Sequence, residues 1–213
     1  MTILLSMPFM LLSLQAHAQK FKGGIIGGLS TSQISGDNLA GFHQFGACIG
    51  GMAALQLNEK FSTQFEILFI QKGSHTQGKD TMPQTINQGG FRVYALTLNY
   101  IEVPIMLNYH YKKFLFETGP SIAALLSYTE DDAYGPINYP VPFNSLDVSW
   151  NLGLTYNLYK GLLMNMRFSN SLIPVRPFPL NAVLNFGPFK ISGQENSVIQ
   201  FTLRYYFKSD LKN

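Results

Sequence analysis

Between Leu146 and Leu158 every second residue is apolar: Leu146, Val148, Trp150, Leu152, Leu154, Tyr156 and Leu158. The residues between them, Asp147, Ser149, Asn151, Gly153, Thr155 and Asn157, are polar or small. A strand's side chains alternate between faces, so a period of two describes a strand with one greasy and one polar face, not an amphipathic helix. Ile199, Phe201, Leu203, Tyr205 and Phe207 repeat the pattern against Gln200, Thr202, Arg204 and Tyr206. So do Phe61, Thr63, Phe65, Ile67 and Phe69 against Ser62, Gln64 and Glu66. Leu162, Met164, Met166 and Phe168 face away from Asn165, Arg167 and Ser169.

Punctuation between the strands is uneven. Asn58-Glu59-Lys60, Tyr111-Lys112-Lys113 and Tyr159-Lys160-Gly161 are short turns, each flanked by aromatic and lysine residues. Between them fall long polar loops, Gly73 to Gly90, Thr129 to Asn144 and Ile173 to Asn196, after an earlier turn cluster at Ser35 to Asn38. The strands then run Gly23 to Ile34, Phe42 to Leu57, Phe61 to Lys72, Phe91 to Tyr109, Phe114 to Tyr128, Leu146 to Leu158, Leu162 to Ser169 and Ser197 to Phe207. Short turns at one end, long loops at the other and about eight strands form the pattern of an outer-membrane barrel. Several strands exceed the roughly 10 residues that cross a bilayer at the usual tilt. Pro104 lacks an amide hydrogen, and a bulge or irregularity in the ladder is expected there.

The chain's first residues form a different kind of segment. Ile3 to Leu14 is an apolar run followed by Ala16-His17-Ala18, which offers small residues where a signal peptidase reads. Residues 1–18 are therefore expected to be a signal peptide and 19–213 the barrel domain. No lysine or arginine precedes the run. Charged residues make up only 13% of the chain and the net charge is +3, with no basic run, so a nucleic-acid partner is not expected.

The charges decide which face is which. Glu66, Glu102, Glu117, Asp147, Arg167 and Arg204 all fall on polar faces, opposite Phe, Leu, Trp and Met. Turning the greasy faces toward lipid puts these charges inside, and Tyr128, Tyr156, Tyr159, Tyr205 and Phe207 near strand ends suit a headgroup belt. An eight-stranded barrel has an interior that side chains fill. Glu66, Glu102, Glu117, Arg167 and Arg204 are accordingly expected to form a luminal ion-pair network, since buried charges need partners.

Other chemistry finds little support. His17, His43, His75 and His110 make no metal-like pair with each other or with Cys48, the single cysteine. His75 and His110 read as loop and turn surface, Cys48 as a small packed side chain, and Glu130-Asp131-Asp132 as a solvated charge run. The glycines at 23, 24, 27 and 28 precede no helix and so do not make a phosphate loop. No catalytic residue, metal or cofactor is expected, and the chain reads as a non-enzyme.

Several stretches resemble a known family. Gly27-Gly28-Leu29-Ser30-Thr31-Ser32-Gln33 with Ser35-Gly36-Asp37, Phe65 to Gly73, Tyr100-Ile101-Glu102-Val103-Pro104 and Glu117-Thr118-Gly119-Pro120-Ser121 are similar to the PorT-like outer-membrane β-barrel family of Bacteroidetes. The resemblance implies a monomeric barrel in the cell outer membrane, and its founding member is linked to type IX protein secretion. The expected partners are outer-membrane lipid, the barrel-assembly machinery during insertion, and a protein met through the long outer loops. Two alternatives stay open: a small transport channel and a lipid-modifying barrel enzyme.

Overall fold

The computed structural model describes residues 21–35, 41–76, 94–132, 134–137, 140–177, 184–186, 189–191 and 193–207. The expected signal peptide and the tail after Phe207 lie outside the described residues. Eight long strands form a closed antiparallel barrel. They are β1 (Phe21–Ser35), β2 (Gln44–Gln56), β3 (Phe61–His75), β4 (Tyr94–Tyr111), β5 (Phe114–Asp132), β6 (Leu146–Tyr159), β7 (Leu162–Ser171) and β8 (Gly193–Tyr206). Each pairs with its sequence neighbour, and β1 pairs with β8 from Gly24↔Tyr206 to Ser35↔Glu195. Closure leaves no long sheet edge, which a bilayer demands because it offers backbone groups no hydrogen bonds.

The short turns follow local chemistry. In the first, the Asn58 side chain accepts hydrogen bonds from the amides of Lys60 and Phe61, both at 2.9 Å. The others place Lys112 (φ 56°) and Gly161 (φ 80°) in the left-handed region that tight hairpins require. Both described ends of the barrel chain, Phe21 and Phe207, lie on the same side as these turns, where Phe207 N bonds to Gly23 O at 2.8 Å.

The faces separate sharply. Phe201 is 54% exposed and Leu203 52%, while Glu66 and Arg167 are both 0% exposed. Apolar side chains thus point to lipid and the charged ones to the lumen. Inward Leu68, Ile70, Leu96, Leu98 and Tyr100 add an apolar zone inside the outer half of the barrel, which strand periodicity did not reveal.

Three local expectations need correction. At Pro104 the pairing with β3 is interrupted, between Phe65↔Ile105 and Leu68↔Glu102, but without a change of register; the bulge falls instead between Asn99 and Tyr100. Asn99 pairs with Ser127 but Tyr100 with Leu125, so Leu126 is an extra residue in β5. One extra residue reverses the facing of everything beyond it. Tyr128 therefore does not join the lipid belt; it packs edge-on against Phe143, with ring centroids 5.1 Å apart. The strands also outrun the expected loop boundaries. β3 continues to His75, β5 to Asp132, and β8 begins at Gly193, because inward residues such as Leu96 and Glu130 are still covered there.

Outward, Gln71 Nε2 donates to Asn99 Oδ1 and Asn99 Nδ2 to Ser127 Oγ, both at 3.0 Å. This polar ladder replaces the apolar band and marks where β3, β4 and β5 leave the hydrocarbon. β4 and β5, at 18 and 19 residues, project beyond it.

Candidate functional site

The lumen is filled in levels. At the level nearer the short turns, β3 supplies Glu66, β5 Glu117, β7 Arg167 and β8 Arg204. The Arg167 guanidinium forks onto Glu66, with Nη1 to Oε2 at 2.8 Å and Nη2 to Oε1 at 2.6 Å. Its Nε donates to Glu117 Oε1 at 2.9 Å. Arg204 donates to Glu117 Oε2 at 2.8 Å and to Asn165 Oδ1 at 2.7 Å, and lies 3.7 Å from Glu66. Two guanidiniums thus meet two carboxylates, and bidentate geometry makes these strong contacts. Around them, Asn165 Nδ2 donates to Glu117 at 2.7 Å, Gln64 Nε2 to Glu66 at 2.6 Å, and Tyr206 OH to Gln64 at 2.8 Å.

Gly153 makes the cluster possible. In the ladder Glu117 lies opposite Gly153, and Gly153 opposite Arg167. Lacking a side chain, Gly153 lets Arg167 reach across β6 to Glu117; a Cβ there would stand 2.4 Å from Glu117 Oε1.

Glu102 does not join this cluster. It lies opposite Leu68 in the ladder and 3.0 Å from Lys72 Nζ, at a second level nearer the long loops. Lys72 also contacts Asp147 Oδ2 at 3.1 Å, and its hydrogen-bond geometry is satisfied on Asp147, so Glu102 is held as a charge contact. Asp147 further accepts from Ser171 at 2.7 Å and Asn196 at 3.1 Å. Lys72, Glu102 and Asp147 are all 0% exposed. The expected single network is therefore two. Lys72 was missed because it stood at the end of its strand beside a loop, although it shares the facing of Glu66. Between the levels lie Leu68 and Ile70 on β3, and the buried polar Ser149, Asn151, Ser169 and Gln200 on β6, β7 and β8.

A third ion pair closes the outer end. Arg176, from the segment after β7, forks onto Glu130 at 2.9 and 2.6 Å, and Tyr94 OH adds a bond at 2.8 Å. The guanidinium lies 3.6 Å from the centroid of the Phe143 ring. Val175, fully buried, is tied to both neighbours by backbone bonds of 2.7 Å, from Asn144 N to its carbonyl and from its N to Gln194 O. Glu130 is therefore no member of a solvated run. Burial alone would raise its carboxyl, but the bonds from Arg176 and Tyr94 and the Arg176 charge together hold it below the ordinary carboxylate range.

The carboxylates of the inner cluster are held by guanidiniums, an arrangement that fixes structure and leaves no carboxyl poised to exchange a proton with a substrate. Among the described residues no group of three or more His, Cys, Asp and Glu is placed to hold a metal. His110 is half-buried, against expectation, and its Nε2 is 2.7 Å from Ser62 Oγ. Its charged neighbour is Lys22, and among the described residues no carboxylate bonds to it, so the pair lacks the third member of a nucleophilic triad.

The chain is similar to several solved outer-membrane proteins. The attachment invasion locus protein of Yersinia pestis, solved with the heparin analogue sucrose octasulfate, is 8% identical, with a TM-score of 0.47 over 88% of this chain and 99% of that one. Neisserial surface protein A is 8% identical, with a TM-score of 0.46 over 88% and 97%. The outer membrane protein AlkL, solved in lipid bilayers, is 14% identical, with a TM-score of 0.40 over 90% and 93%. No curated protein sequence matches the chain. The profile of the outer membrane protein beta-barrel domain matches residues 15–176. The protein is located in the outer membrane, and the chain belongs to the outer membrane protein beta-barrel domain family.

Proposed function

We propose that this barrel is a rigid, side-chain-filled scaffold that works through its outer surface, as a structural or partner-binding protein. One observation carries this reading: charged residues of the lumen are bonded to each other at two levels, beneath the Arg176–Glu130 cap. A conducting pore needs a water-filled path, whereas the residues between the levels, apolar Leu68 and Ile70 and polar Asn151, Ser169 and Gln200, are all buried. The long-loop end, where β4 and β5 project, is the surface left for a partner.

The test is conductance of the purified full-length barrel in a planar lipid bilayer. Silence with brief flickers at most is expected. A steady open current would overturn the plug and favour the small-channel alternative. For the lipid-modifying alternative, an unchanged lipid A mass profile with and without the protein is expected.

The finer family assignment belongs to the same proposal. The stretches Gly27 to Gln33, Tyr100 to Pro104 and Glu117 to Ser121 support a place among the PorT-like barrels of Bacteroidetes, and through them a partner in type IX secretion. Within that reading the chain is a monomer, residues 1–18 are its cleaved leader, and the two luminal clusters are its stabilising core. Crosslinking in outer membranes should capture secretion components at the long-loop end; their absence from the crosslinked products would remove the secretion link.

A further inference from the structure

The short turns carry charges that the lumen does not use. Lys60, Lys112, Lys113 and Lys160 all stand at the short-turn end, and all are exposed. They stand on each of the three turns that join the eight strands, so they are spread along the rim. Among the described residues none of them forms a salt bridge, and Glu59 is the one acid beside them. Each stands next to an exposed aromatic in the chain: Phe61, Tyr111, Phe114 or Tyr159. Lys112 Nζ lies 5.4 Å from the centre of the Tyr111 ring, which keeps its charge at the level of the aromatic belt.

We propose that this rim binds the phosphodiester headgroups of anionic phospholipids in the periplasmic leaflet. Aromatic rings at a barrel's end sit at headgroup depth, and lysine stems lie along apolar surface while their ammoniums reach the polar layer. A single docked protein would be met by lysines gathered on one side. Lysines at three separate points of the rim instead match a partner that surrounds the barrel, and a bilayer is that partner. Each ammonium near a lipid surface favours an anionic headgroup on the order of fivefold.

The experiment counts lipids retained by the full-length barrel in native mass spectrometry. The probes are phosphatidylglycerol and phosphatidylethanolamine with the same acyl chains, supplied in equal amounts. The wild type should retain phosphatidylglycerol in excess by about tenfold or more, an excess that shrinks in high salt as exposed charges are screened. The variant Lys60→Gln, Lys112→Asn, Lys113→Gln, Lys160→Gln should fall to within about twofold of no preference. Asparagine is chosen at 112 because it tolerates the left-handed backbone there. Equal retention by the wild type, measurable without any variant, would overturn the proposal. So would an unchanged preference in a variant that still shows heat-modifiable migration. Displacement of phosphatidylglycerol by inorganic phosphate would show a free-anion site and overturn the lipid assignment.

Discussion

Replacing Arg204 with leucine tests the inner luminal cluster most directly. The substitution keeps most of the apolar stem and removes the guanidinium that donates to Glu117 at 2.8 and 3.3 Å and to Asn165 at 2.7 Å. Arg167 is then left to serve two buried carboxylates, through bonds of 2.6 to 2.9 Å. Breaking a buried pair by removing one partner costs about 3–5 kcal/mol. Glu117 keeps Arg167 and Asn165, so the low end, about 3 kcal/mol, is expected. With a guanidinium chloride slope of about 3 kcal/mol/M, the unfolding midpoint should move down by about 1 M. The assay is denaturant unfolding of the barrel in detergent, read by the fraction that keeps heat-modifiable gel migration. Adding Glu117→Gln removes the surplus charge and should recover about 1–2 kcal/mol, a coupling that a double-mutant cycle isolates. A loss below about 0.5 kcal/mol for Arg204→Leu, the range of an ordinary surface change, would refute the ion-pair argument. So would strictly additive losses in the double variant.

Other outcomes follow from the same geometry. Gly153→Ala should destabilise the barrel by about 2–4 kcal/mol, because its Cβ would meet Glu117 Oε1 at 2.4 Å; an unchanged midpoint would mean the carboxylate is not locked in place. In the outer cluster one cation faces two carboxylates, so Lys72→Met should cost about 3–5 kcal/mol and Asp147→Asn clearly less; the reverse order in unfolding midpoints would sink that account. Glu130 is held below its usual value of 4.5, so its pairing with Arg176 stabilises the cap above that pH and is lost as pH falls through the lower folded-state value. Protease cleavage within residues 140–177 should therefore rise in acid for the wild type and already be raised at neutral pH in Arg176→Gln; cleavage independent of pH would show that the pair does not hold the cap.

Strand periodicity carried much of this structure. The alternation from Leu146 to Leu158 and from Ile199 to Phe207 told inside from outside, and Asn58, Lys112 and Gly161 marked turns that the backbone makes. Facing could be read because a side chain's direction in a strand depends only on counting by twos. Arg167, Arg204, Glu66 and Glu117 were legible as inward for that reason.

What counting cannot supply is height. Residues of like facing meet only if tilt and stagger bring them to one level of a closed barrel. Glu102 shares the facing of Glu66 but stands opposite Leu68, so it meets Lys72, which it shares with Asp147. Lys72 and Asp147 are 75 residues apart, and no local spacing joins them. The one-residue bulge at Leu126 then reversed the parity that placed Tyr128 outside. Arg176 lay in a segment with no period at all, and only the packing of Val175 and Phe143 across the barrel mouth put it on Glu130. Local alternation and turn chemistry were enough to place the strands, most of their faces and the lysine-bearing turns. The tertiary structure alone decided which buried charges are partners, because that depends on the register accumulated around eight strands.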